Sequence, residues 1–103
     1  MNDVKSLVNK LVSVATNLGQ QQYRLRSIEE IIKGFDARAG DMKRTFTDPD
    51  ADDREFLRAS LALQTRSRNI SVRDARRIRH DITRARSRIE SITAKLELLS
   101  GRP

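Results

Sequence analysis

The spacing of apolar residues along the first half of the chain predicts one long helix. These residues recur in alternating steps of three and four, and Gln21 is the one polar exception. The resulting first seam comprises Val4, Leu7, Leu11, Val14, Leu18, Gln21, Leu25, Ile28, Ile32, Phe35, Ala39, Met42 and Phe46. A three-four repeat sustained over this length is specific evidence for helices that pack as a coiled coil.

The second half of the chain carries a second seam with the same spacing. Its members are Leu57, Leu61, Gln64, Arg68, Ser71, Ala75, Ile78, Ile82, Ala85, Ile89, Ile92, Leu96 and Leu99. The second seam is apolar from Ala75 onward, but it is polar from Gln64 to Ser71. Ser71 and Asp74 also fit a capping box, so the sequence allows a kink near residues 69–71 within an otherwise continuous helix.

The segment between the two seams predicts a turn. Asp48 and Pro49 fit an N-cap followed by proline at the first helical position. The next residues include the carboxylates of Asp50, Asp52, Asp53 and Glu55, which favour the positive end of the helix dipole. A single helical-hairpin domain over residues 1–103 follows, with helix one at about 3–46, a turn at 47–49 and helix two at about 50–99.

The short turn also predicts how the two helices meet. Helices joined by so short a connection pack antiparallel, so that residue i should face a residue near 100 minus i. Leu18 would then face Ile82, and Leu11 would face Ile89, so that apolar stretches meet apolar stretches. Continuation of the first seam to Met42 favours a first helix that passes through Gly40 and does not stop there.

Composition agrees with this fold class. Charged residues make up 34% of the 103 residues and aromatic residues only 4%, a balance typical of long helices and coiled coils. Two paired helices of this size leave much surface exposed. The sequence therefore predicts an all-α protein, a long antiparallel helical hairpin or two-helix coiled coil, completed by self-association into a four-helix bundle or larger assembly.

Several apolar residues lie outside the seams and predict an interface. Phe56, Leu63 and Ile70 share one helix face at seven-residue spacing, and we call this set the apolar stripe. Val8 and Val12 lie beside the first seam. We expect these five residues to contact a partner helix in an oligomer. The alternative is a wide seam whose edges are only partly buried.

The charge of the chain is concentrated in one region of the second helix. The net charge is +7, and the stretch from Arg66 to Arg88 holds nine arginines against Asp74 and Asp81. Seven of them form what we call the arginine band: Arg73, Arg76, Arg77, Arg79, Arg84, Arg86 and Arg88. The band predicts a surface that binds an acidic protein or the phosphates of nucleic acid. The alternative is a solvated face with ion pairs along its own helix.

Candidate chemistry is sparse. The chain has no cysteine, and its one histidine, His80, falls away from the seam. The sequence shows neither a glycine-rich phosphate loop nor metal-ligand spacing. We therefore expect no catalytic, cofactor-binding or metal site, no enzyme activity and no small-molecule substrate. We also expect no membrane span and no signal peptide, which makes the cytoplasm the default location.

Three functional hypotheses follow. The first is a non-catalytic structural or assembly subunit, a homo-oligomer whose arginine band docks an acidic partner. The second is a helical-hairpin dimer that binds nucleic acid independently of sequence. The third is a small exported helical hairpin or its chaperone. The outline is similar to that of small secreted hairpins with a W-x-G turn, although this chain has no tryptophan and its turn reads TDPDADD.

Overall fold

The protein folds as two long α-helices. The computed structural model describes residues 2–45 and 50–101. Helix α1 spans Asn2–Thr45 and helix α2 spans Ala51–Leu99. The chain is thus an all-α helical hairpin, as its apolar spacing predicts. The predicted turn at 47–49, the N-cap at Asp48 and the seam residue Phe46 lie outside the described residues.

The ends of the helices have specific causes. The backbone amide of Asp53 donates to Oδ1 of Asp50 at 2.8 Å, so Asp50 caps α2, two residues after the cap position expected from the sequence. At the other end, Gly101 adopts a left-handed φ of 71°, a conformation that glycine provides without steric cost after the last turn of a helix. Helix α1 continues through Gly40 to Thr45.

The chain packs as two compact units. The terminal unit comprises the described residues of Met1–Leu25 and Arg77–Pro103, and the central unit comprises those of Arg26–Arg76. Each unit contains one segment of α1 and one segment of α2. Helix α2 is uninterrupted through residues 69–71, so Ser71 and Asp74 do not start a new helix there.

The core of the terminal unit is formed by the two seams. Val14 packs with Ala85 and Ile92, which are at most 7% exposed. Around this cluster lie half-buried aliphatic side chains from both helices, namely Leu7, Leu11, Leu18, Ile89 and Leu96. Ile78 and Ile82 are also buried in this unit. The predicted seams therefore form the packed interface here.

The central unit is packed less tightly. Among its described seam residues only Ala75 is fully buried, and the others are half-buried. Two polar contacts cross between its helices. The Arg68 guanidinium donates from Nε to Asp36 Oδ1 at 2.6 Å, and Gln64 Nε2 contacts Met42 Sδ at 2.9 Å.

These two contacts also define the relative direction of the two helix segments in the central unit. The residue numbers rise along α1 as they fall along α2, so the segments are antiparallel. Asp36 meets Arg68, four residues beyond the Gln64 expected at 100 minus i, and the long arginine side chain, which leans toward the N-terminus of its helix, spans this distance. The orientation of the helices is as predicted, and these side-chain contacts are compatible with the predicted register.

Candidate functional surfaces

The apolar stripe lies on the exposed side of α2 in the central unit. Phe56, Leu63 and Ile70 are 59%, 63% and 54% exposed. Seven residues correspond to almost two full turns, so the three side chains point in nearly the same direction. The stripe lies well away from the seam that packs on α1. The chain therefore presents three large apolar side chains to solvent on one helix face.

The second predicted apolar set lies on α1 in the terminal unit. Val8 and Val12 are 43% and 60% exposed, and Val4, a seam residue, is 41% exposed. Their four-residue spacing places all three on one side of the helix. The sequence interpretation missed the 78% exposed Leu98 near the end of α2. It occupies the heptad position of the apolar stripe, a signal that was available in the sequence.

The ends of α1 and α2 in the terminal unit form a shallow groove. Its lining combines apolar and charged side chains, namely Asp3, Ser6, Leu7, Lys10, Lys95, Leu98 and Leu99. Leucines from both helices provide the apolar part, and one lysine from each helix provides positive charge. The groove joins the start of α1 to the end of α2, as antiparallel packing requires.

The arginine band is exposed at all seven positions. Arg73 and Arg76 belong to the central unit, and the other five arginines belong to the terminal unit. Within residues 2–45 and 50–101, six of the band arginines are in no ion pair, namely Arg73, Arg76, Arg77, Arg84, Arg86 and Arg88. The ion pairs along α2 that Asp74, Asp81 and Glu90 could have provided are not formed by these six arginines.

Part of the band faces a polar recess of the terminal unit. Arg84 and Arg88 lie one turn apart on α2, and they line the recess together with Asn17 and Gln21 of α1. Asp81, which is half-buried, lines the same recess. Two guanidinium groups and two side-chain amides provide hydrogen-bond donors for an anion, whereas the carboxylate of Asp81 opposes one.

The residues considered for other chemistry are dispersed. His80 is exposed on α2. Among the described residues, no three His, Cys, Asp or Glu side chains group closely enough to hold a metal ion. Within the same part of the chain, neither helix has a stretch long and apolar enough to cross a membrane.

Comparison with known proteins adds no assignment. The chain matches no protein-family model, no curated protein and no solved structure. Functional inference therefore depends on the surfaces described above.

Proposed function

We propose that this protein is a non-catalytic assembly subunit, a helical hairpin that self-associates and docks an acidic partner through its arginine band. The observation that carries this proposal is the exposure of the apolar stripe. Phe56, Leu63 and Ile70 are each more than half exposed on a helix whose opposite face is already occupied by the seam. A helix with a second apolar face packs against a second helix.

Burial of the stripe contributes part of the energy that association requires. Complete burial of a Leu, Ile or Phe side chain contributes about 1.5–3 kcal/mol, so covering the exposed half of each would contribute about 1 kcal/mol. Three such side chains on each of two chains give about 6 kcal/mol before the entropic cost of association. This value fits a concentration-dependent assembly with further contacts at its edges.

The arginine band supports the second part of the proposal. Six of its arginines have no ion-pair partner in the described part of the chain, so their guanidinium groups are available to carboxylates from elsewhere. The exposed carboxylates of Asp50, Asp52, Asp53 and Glu55 at the start of α2 are such groups. Contacts between bands and acidic turns of different copies would set the direction of assembly and increase its rate.

Light scattering after size-exclusion chromatography tests the proposal. We expect the mass of the native chain to rise with concentration above that of a monomer, and Leu63→Glu to lower it. Asn69→Glu is the matched control, because it adds the same charge to the same segment at an exposed position about 100° away from the stripe. A native chain that stays monomeric up to millimolar concentration would refute self-association.

A second candidate function is binding of nucleic-acid phosphates, and the six band arginines other than Arg79, which form no ion pair in the described part of the chain, favour it. No aromatic residue lies among them, so contacts would be made to the backbone and not by base stacking. If about six arginines contact phosphates, the logarithm of affinity should fall with the logarithm of salt concentration at a slope near −5.

Fluorescence anisotropy with a generic DNA duplex and an RNA across a salt series tests this candidate. Arg84→Gln with Arg88→Gln should reduce the magnitude of the slope by about 2. Arg26→Gln with Arg58→Gln removes the same charge from exposed positions outside the band and is the control. Absence of binding at low salt would eliminate nucleic acid as the partner.

A further inference from the structure

The central unit has the smaller buried core of the two units. Among its described residues, Ala75 alone is fully buried, whereas the terminal unit buries Val14, Ile78, Ile82, Ala85 and Ile92. The apolar stripe lies in this same central unit. Burial of the stripe would therefore add to the few buried side chains of the central unit.

We infer that the occupant of the apolar stripe is the apolar stripe of a second copy, packed antiparallel about a two-fold axis at Leu63. This inference rests on the proposed self-association and specifies its geometry. Phe56 and Ile70 lie at equal distances on either side of Leu63. An antiparallel copy therefore places Leu63 against Leu63, and Phe56 of each chain against Ile70 of the other. A two-fold interface uses one patch twice and is the commonest geometry of homodimers.

The residues beside the stripe allow two helices to approach closely. The neighbouring positions on α2 hold Ala59, Ser60 and Ser67, which have small side chains. Helix axes can lie about 8–10 Å apart where the contact residues permit it. Arg66 also flanks the stripe, and its aliphatic stem can cover apolar surface while its charge remains in water.

Charge selects the antiparallel orientation. The first turns of α2 carry the exposed carboxylates of Asp50, Asp52, Asp53 and Glu55. At the other end of the stripe, Arg73 and Arg76 are exposed and outnumber the one acid there, Asp74. An antiparallel copy brings the acidic end of each segment to the basic end of the other, with Asp52 near Arg73. A parallel copy would bring acid to acid and base to base.

The area of the contact indicates a dimer of moderate stability. Six side chains that are more than half exposed contribute roughly 600 Å² of apolar surface. The small flanking residues and Arg66 bring the total to about 1,000 Å², the lower limit for a specific interface. We therefore expect a dimer that dissociates on dilution and not a permanent one.

Disulfide trapping tests this geometry, because the chain contains no cysteine. Leu63→Cys should form a covalent dimer rapidly under mild oxidation, since residues on the two-fold axis meet at Cα distances that a disulfide spans, about 4.4–6.8 Å. Phe56→Cys alone and Ile70→Cys alone should not. A mixture of these two variants, one of them tagged, should yield the mixed dimer. The mixture retains Leu63, so it reports on the interface even if Leu63→Cys weakens it. Asn69→Cys is the exposed control.

The outcomes separate this inference from the proposed function. Self-linking of Phe56→Cys and of Ile70→Cys without the mixed dimer would show parallel packing and overturn the inference while self-association stands. A native oligomer in light scattering, combined with no trapping at Leu63 and no mixed dimer, would assign assembly to another surface. This result would also overturn the inference. A native chain that remains monomeric would remove both proposals.

Discussion

The structure predicts that one buried seam residue contributes far more stability than an exposed residue of the same type. Ile82 is 5% exposed in the terminal unit, whereas Ile31 on α1 is 49% exposed. The substitutions Ile82→Ala and Ile31→Ala remove the same three carbon atoms from a helix. Each also gains the same small helix propensity of alanine, so propensity cancels in the comparison.

The expected magnitudes follow from burial. Loss of three buried carbon atoms costs about 2.4 kcal/mol at 0.8 kcal/mol each. The cavity adds a further term wherever neighbouring side chains do not relax into it, so we expect about 2.5–3.5 kcal/mol for Ile82→Ala. At Ile31 about half of the transfer energy is lost and no cavity forms, which gives about 1 kcal/mol.

Urea unfolding followed by circular dichroism at 222 nm measures both values. The two variants should differ by about 2 kcal/mol, which corresponds to a difference of about 1–2 M in the urea midpoint for a small domain. All measurements require the same chain concentration, because self-association contributes to apparent stability. Equal losses for the two variants, or a larger loss for Ile31→Ala, would refute the assignment of the seam as the core.

Three further predictions concern polar groups of the central unit. Gln64→Leu should raise the free energy of unfolding by about 1 kcal/mol, because Oε1 of Gln64 is buried without a hydrogen-bond partner; a lower thermal midpoint would contradict this. Asp50→Ala should lower the free energy of unfolding by about 1 kcal/mol in urea titrations through loss of the cap on α2, and Asp52→Ala should lower it by less. A double-mutant cycle on Arg68 and Asp36 should give a coupling of about 0.5 kcal/mol that decreases at high salt, because both side chains are partly exposed; a coupling unaffected by salt would be inconsistent with this ion pair.

The polar middle of the second seam shows where sequence interpretation reached its limit. Arg68 occupies a seam position, where a charged residue predicts weak packing of the second helix. In the structure the Arg68 guanidinium of α2 donates to the Asp36 carboxylate of α1. A charged group of each helix therefore meets the other at this point of the interface. The pairing could not be derived beforehand, because it depends on how far each long side chain reaches along the neighbouring helix, which the seam spacing does not specify.

The cap of α2 illustrates the same limit at a smaller scale. Several carboxylates lie close together at the start of this helix, and each can accept a hydrogen bond from a free backbone amide. The sequence favours Asp48 because a proline follows it, whereas the structure assigns the bond to Asp50. Which aspartate caps the helix depends on where the backbone first becomes helical. Neighbouring residues of the same type do not determine that point by themselves.

The sequence by itself determined the two helices, their seams and the apolar positions that lie outside the seams. From Leu7 to Met42, every first-seam residue is at least half-buried, because a three-four repeat keeps one side of a helix facing its neighbour. The same repeat places Phe56 and Leu63 on another side. The tertiary structure alone decided the degree of burial and the polar contacts between the helices. Seam spacing specifies which side of a helix faces its neighbour, but it does not specify how far a long side chain such as that of Arg68 reaches along that neighbour, so the pairing with Asp36 is visible only in the packed structure.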